Sequence, residues 1–290
     1  MPREPTEPAF DPDYSNRCGF DPAFLGVRVP LPELPADADP TPLRDQPDEH
    51  VLHYEHFSVV MSRPRRLAYF VGVNIDGKRI IDLGDREGDR WIFDSRIARE
   101  DQFGNPLYDD NPFDRGHLVR RLDVVWGATS AEAEKAQADT FHFTNCAPQH
   151  ERFNRLKKFW YGIEHYILSN TGAHGLRVSV FSGPVLAEED PPLGEGQVPT
   201  DFWKVVAMRR VEGPLSAAAY LLSQAELIPR VTDEFVFGEY KLFMKAVWQI
   251  EERTGLDFGQ LRDHDAFAKH QMLDAQDHPI ELTRYEDIVI

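Results

Sequence analysis

Three observations predict an α+β fold: runs rich in β-formers, separate stretches with apolar residues at helical spacing, and an order in which strands are followed by helices. Residues 57–61 and 67–75 read as strands, and Asp76-Gly77 leads from the second into Arg79-Ile80-Ile81-Asp82-Leu83. Asp-Gly readily takes the positive φ values of a two-residue turn, so this segment predicts a hairpin. Thr129-Ser130-Ala131-Glu132 has the form of a capping box and opens a helix that runs to Asp139. Residues 155–169 predict a second helix with Phe159, Ile163, Tyr166 and Ile167 on one side. Strands are expected at 178–182, 203–209 and 217–222. A last helix is expected at 238–253, where Leu242, Phe243, Ala246, Val247 and Ile250 recur at helical spacing and Thr254-Gly255 supplies the stop.

At 290 residues and 41% hydrophobic content, the chain can bury one substantial core. Residues 1–48 hold eleven of the 22 prolines, interspersed with Asp and Glu, without a sustained period. They read as an acidic arm, extended on the surface of a domain spanning 49–290 or partly disordered, with part of it tied down through Phe20, Phe24, Leu25, Val27, Val29 and Leu31. Such an arm is expected to cover part of the core or of a substrate cleft. No run of eighteen apolar residues occurs and the amino terminus has no apolar segment, so neither a membrane span nor a secretory signal is expected. Only Cys18 and Cys146 are present, too few for a disulfide framework, which suits a reducing compartment, by default the cytoplasm. The net charge of -17 argues against binding of nucleic acid by bulk attraction. The charge is uneven, however: residues 63–121 carry twelve basic against eleven acidic side chains, near +1, and the remainder about -18. A locally neutral cleft in an acidic body can still admit a polyanion.

Two blocks concentrate chemistry. Asp114-Arg115-Gly116-His117 offers an imidazole and a guanidinium, and Asn145-Cys146-Ala147-Pro148-Gln149-His150-Glu151-Arg152-Phe153-Asn154 offers amides. A neutral imidazole accepts a proton from water near neutral pH, a guanidinium matches two phosphate oxygens, and an amide oxygen suits a hard cation that keeps most of its water. These are the requirements of phosphodiester hydrolysis. Read on the residues alone, Asn154 is an N-cap, Asn145 a buried turn residue beside Pro148, and each arginine a solvated side chain.

The blocks resemble the DRGH signature and the N-x-x-P-Q-x-x-x-x-N segment of the DNA/RNA non-specific endonucleases, the ββα-metal nucleases. Further matches fall at Val180-Phe181-Ser182-Gly183-Pro184, at Val198 through Lys204 and at Ile250 through Leu256, so the resemblance covers roughly residues 50–262. It implies a ββα-metal (His-Me finger) fold with a central antiparallel sheet flanked by helices. It also implies an endonuclease dependent on Mg²⁺ or Mn²⁺, acting on DNA and RNA without sequence or sugar preference and leaving 5′-phosphate and 3′-hydroxyl ends. Carried over residue by residue, His117 is the general base, Arg115 and an upstream arginine contact phosphate, Asn145 orients the histidine or its backbone, and Asn154 holds the metal. Arg90 is the best positional match for the upstream arginine, with Arg96 and Arg99 as rivals. Glu164 follows Trp160 by four residues, as the family's acidic residue follows its tryptophan, and would hold metal-bound water.

The chain departs from the pattern between Asn154 and Trp160, which are six residues apart where the family has four. Two extra residues turn a helix by roughly 200°, so Glu164 keeps its role only if residues 155–158 loop out. Asp114 reads as a structural partner of backbone or arginine. Trp91, Trp126 and Trp203 are candidates for base stacking or for the core. A non-cleaving nucleic-acid binder or regulatory relative, and a phosphodiesterase for a smaller substrate, are the alternative functions. The resemblance leaves room for a homodimer and for an inhibitor or activating protein, although no motif marks either.

Overall fold

The computed structural model describes residues 11–84, 90–155, 160–209, 213–228, 241–266, 268 and 280–281. Twelve strands are found among them: β1 (Val51–Tyr54), β2 (Phe57–Ser62), β3 (Leu67–Asp76), β4 (Phe113–His117), β5 (Cys146–His150), β6 (Arg177–Pro184), β7 (Pro192–Leu193), β8 (Gly196–Gln197), β9 (Asp201–Arg209), β10 (Leu215–Ser223), β11 (Lys241–Lys245) and β12 (Ile280–Glu281). The α-helices are α1 (Ser130–Asp139), α2 (Glu151–Arg155), α3 (Trp160–His174) and α4 (Val247–Thr254). Eight strands form one antiparallel sheet in the order β1-β2-β3-β6-β9-β10-β11-β12, while β4 pairs with β5 and β7 with β8 in two small hairpins.

Both faces of the large sheet are covered, which is why its strands read as near-continuous apolar runs. Successive side chains of a strand point to opposite faces, and β9 shows the division. Phe202, Val206 and Met208 join one apolar cluster, and Trp203, Val205 and Ala207 join the other. The first cluster takes in Cys146, Ala147 and Phe153 of the β4–β5–α2 unit and Ile167 of α3. The second takes in Phe20, Phe24, Leu25 and Val29 of the amino-terminal segment and Val247 and Ile250 of α4. The proline-rich segment is therefore built into a core layer on the sheet face opposite the β4–β5 unit. Its bidentate Arg17 contact to Asp139, 2.7 and 3.0 Å with both side chains buried, fastens it to the end of α1.

The strands expected at 57–61, 67–75, 178–182, 203–209 and 217–222 are β2, β3, β6, β9 and β10. The α1 cap forms as its sequence dictates: Thr129 Oγ1 accepts from Glu132 N at 3.2 Å, and the Glu132 carboxylate accepts from Ala128 N. Three expectations differ. The hairpin at Asp76-Gly77 does not form, because β3 already has β2 on one edge and β6 on the other. The Asp-Gly turn is made, with Arg79 N donating to Asp76 O, but Ile80 then bridges Trp126 and Ile81 N donates to Val125 O. The helix expected at 155–169 is two helices, α2 and α3, separated by residues 156–159, which lie outside the described residues. The helix expected at 238–253 is the strand β11 followed by the shorter α4. A short apolar run fits either period, and here the free edge of β10 takes it as a strand, with Leu222 opposite Leu242 and Ala219 opposite Lys245. The expected stop holds: Gly255 takes φ 71°, and its N–H donates to Glu251 O.

Candidate active site

The two sequence blocks become one unit. In β4 and β5, Arg115 faces Pro148, Gly116 faces Ala147 and His117 faces Cys146, and α2 follows β5 directly. A glycine is required at 116, since a Cβ there would run into the side-chain amide of Gln149. Gln149 is fully buried, and its amide nitrogen and oxygen make no hydrogen bond among the described residues. Sequence reasoning passed over it, although the match at Pro148-Gln149 was the available signal.

His117 sits between two aromatic rings. Trp91 lies tilted at 46° with its centroid 4.7 Å away, and Phe141 meets it edge-on at 5.1 Å. Burial first, then the charges of Arg121 and Arg120, pushes the imidazole down to about 3. Both causes disfavour the cation, so the ring is neutral throughout the physiological range and able to take a proton. An anionic phosphate beside it would oppose the guanidinium charges and raise its basicity.

Asn145 is fully buried and fully engaged. It accepts from Val119 N at 2.9 Å and donates to Val119 O at 3.0 Å and to Thr140 O at 2.9 Å, while Leu118 N donates to its carbonyl. Ser182 Oγ, from the Phe-Ser-Gly-Pro match, donates to Leu118 O at 3.0 Å. The backbone that follows His117 is thus clamped at successive residues. These contacts of Asn145 hold the backbone next to His117.

Asn154 lies in α2 rather than at its cap. Its Nδ2 donates to Asp114 Oδ2 at 2.9 Å, and the same carboxylate pairs with Arg155. With the nitrogen committed to Asp114, the amide is oriented and its oxygen is the atom available to a hard cation, the arrangement in which a supporting carboxylate orients a ligand. Asp114 is accordingly a structural partner. Arg115 donates from Nη1 to Asn105 Oδ1 at 3.0 Å, and its Nε is buried without a hydrogen-bond partner among the described residues.

Glu164 is on the buried side of α3 with Ile167 and Thr171. Lys204 of β9 pairs with it at 3.3 Å. Burial, with Asp123 adding to it and Lys204 and Arg120 opposing, pushes the Glu164 carboxyl up to about 7. Arg120 is common to this buried charge cluster and to His117, which links the two electrostatically. Arg90 is exposed, one residue before the Trp91 that packs on His117. Its rivals are occupied elsewhere: Arg96 pairs with Asp94 at 2.6 Å, and Arg99 lies over the Phe93 ring. Trp126 and Trp203 are core residues.

A β-hairpin carrying histidine and arginine that runs into a helix carrying a tethered asparagine, set against a large antiparallel sheet, is a ββα-metal nuclease fold. The chain belongs to the DNA/RNA non-specific endonuclease family, whose model matches residues 37–265. It is 40% identical over 237 residues to the uncharacterized protein y4fB of Sinorhizobium fredii, covering 77% of this chain and 35% of that protein. It is 26% identical to human mitochondrial endonuclease G, over 67% of this chain and 64% of the relative, and 27% identical to the bovine protein, over 60% and 57%. The chain thus spans from about a third to just under two thirds of the length of these relatives. A chain from the crystal structure of the EndoG/EndoGI complex superposes with a TM-score of 0.57 at 22% identity, over 72% of this chain and 84% of that one.

Proposed function

We propose that this chain is a metal-dependent endonuclease that hydrolyses DNA and RNA phosphodiester bonds with His117 as general base. The observation that carries the reading is the placement of His117 on β4 against Trp91 and Phe141, two residues after Arg115 on the same strand and within reach of the Arg121 and Arg120 charges. Water attacks phosphorus in line, and its proton passes to His117. Arg115, and Arg90 from the adjacent loop, meet the charge on the phosphate oxygens. The bond to the 3′ oxygen breaks, leaving 5′-phosphate and 3′-hydroxyl ends. Asn154 would hold a divalent cation through its amide oxygen, with Glu164 near the ion's water shell; Mg²⁺ or Mn²⁺ supplies positive charge to the phosphate and the leaving oxygen.

Nucleic acid is the proposed partner, with a homodimer and a protein inhibitor kept as further partners, the latter by analogy with the EndoG/EndoGI complex. A cytoplasmic setting is retained from the cysteine usage. The test is plasmid nicking with and without EDTA, with bis-p-nitrophenyl phosphate as the small-substrate control. EDTA should abolish nicking, and His117→Ala should lower the rate about 10²- to 10⁴-fold without unfolding the protein. Asn154→Ala should raise the metal concentration required. Nicking at the full rate by the His117 variant would refute the mechanism, and activity confined to the small ester would turn the reading to a phosphodiesterase.

A further inference from the structure

A second cluster of metal-seeking groups lies away from the nuclease constellation and shares no residue with it. Cys18, from the amino-terminal segment, brings its sulfur to 3.2 Å from Glu55 Oε1. His56 Nε2 is 3.6 Å from the same oxygen and 3.2 Å from Oε1 of Glu132, in the first turn of α1. The ligand atoms of Cys18, Glu55 and His56 all fall within 4.8 Å of one another. Bonds of about 2.0–2.3 Å to a tetrahedral zinc put neighbouring ligand atoms roughly 3.3–3.6 Å apart, and the three measured separations lie in or next to that interval.

The histidine is set up as a ligand. Its Nδ1 faces Val124 O at 3.0 Å, an acceptor only, so Nδ1 carries the hydrogen and Nε2 turns to the two carboxylates. That second contact is the one that commonly fixes the tautomer of a metal-bound imidazole. Trp126 stacks on the ring at 3.6 Å and 11° and holds its plane. The backbone of His56 is left-handed, φ 70°, a conformation costing about 1 kcal/mol or more for a residue with a Cβ. Nε2 thus faces two carboxylate oxygens, at 3.2 and 3.6 Å, across a gap that a shared cation can fill. Lys135 pairs with the other Glu55 oxygen at 2.5 Å, so one oxygen of Glu55 remains for a ligand bond.

We infer that Cys18, Glu55 and His56 form a binding site for a zinc-class divalent cation that pins the amino-terminal segment to the β1–β2 turn, with Glu132 of α1 beside the histidine as a supporting carboxylate. Cys18, His56 and Glu132 also line a cavity of about 570 Å³, which gives an ion access. On binding, the thiol proton of Cys18 leaves to solvent, and sulfur, nitrogen and one Glu55 oxygen bond to the ion, with water from the cavity as the fourth ligand. No electron is transferred. The negative charges of Cys18, Glu55 and the neighbouring Glu132 are met by the ion and Lys135, so the loaded cluster is neutral.

Cobalt(II) tests this with a signal the nuclease site cannot give. Asn154 offers oxygen, and the other thiol, Cys146, is buried beside Tyr108 and Phe143. The full chain, stripped with chelator, is titrated with cobalt(II) while the thiolate-to-metal charge-transfer absorption is recorded, and zinc is then added to displace it. One equivalent should saturate the band, zinc should abolish it, and zinc should raise the melting temperature. Cys18→Ser, which preserves an O–H donor to Glu55, should abolish the band. His56→Asn, which tolerates the same φ, should weaken binding by at least the roughly 10- to 100-fold that even a supporting contact is worth. Absence of a band in the native protein, or a band that survives Cys18→Ser, would overturn the site. Nicking in excess Mg²⁺ should be unchanged in Cys18→Ser, so the outcome is separate from that of the nuclease proposal.

Discussion

His117 and His56 occupy matching local settings and opposite fields. Each packs on a tryptophan, Trp91 in one case and Trp126 in the other. Around His117 the charged neighbours are Arg120 and Arg121, which together with burial keep the ring neutral. Around His56 they are the carboxylates of Glu55 and Glu132, at 3.6 and 3.2 Å from Nε2. The same side chain is proposed as a base in one region and as a cation holder in the other, and what differs is the sign of the charge brought to it by remote segments. This is why a chain of net charge -17 can still present a phosphate-compatible site: its acidity lies elsewhere.

The largest effects are expected where the two regions are tied to the common frame. Arg17→Ala would leave Asp139 buried and unpaired, and loss of one partner of a buried pair costs about 3–5 kcal/mol. A urea midpoint that barely moves would show that the amino-terminal segment only lies on the surface. Lys204→Met should cost a similar amount, about 3–5 kcal/mol, with a pH signature. Glu164 is raised in the fold from 4.5 to about 7, so its contribution is fully present below pH 4.5 and is lost as pH rises through 7. Removing the lysine should therefore widen the stability gap from wild type between pH 5 and pH 8, and an equal gap at both would contradict the assignment of Lys204 as the partner. His56→Ala should be milder, about 1–3 kcal/mol for an exposed mismatch of buried polar groups, with nicking per folded molecule unchanged. A large fall in rate at constant fold would join the two regions functionally and break the comparison.

The site was legible where the chemistry is contiguous. His117, Arg115 and Asn154 follow from two blocks, and the pairing of β4 with β5 is what their order requires. Glu164 is buried on α3, as its expected role requires, while most of the stretch expected to loop out before Trp160 lies outside the described residues. Less was legible where tertiary neighbours decide. Asp76-Gly77 carries a hairpin signal, yet β3 has no edge left to accept one. Leu242 and Phe243 fit a helix by spacing and a strand by context. Lys204 looks like one more charge in a strand until β9 places it against Glu164, and Cys18, Glu55, His56 and Glu132 are scattered over more than a hundred residues before the fold gathers them.

The central claim is that burial and two arginines keep His117 neutral so that it can act as the base. The pH dependence of kcat/KM, which reports the essential groups of the free enzyme, measures this directly at saturating metal, for wild type and for Arg121→Gln. With His117 lowered from 6.5 to about 3, activity should persist as pH falls through 6.5, and the acidic limb should move upward when Arg121 is neutralised. An acidic limb centred near 6.5 in wild type, unmoved by the arginine substitution, would contradict the account.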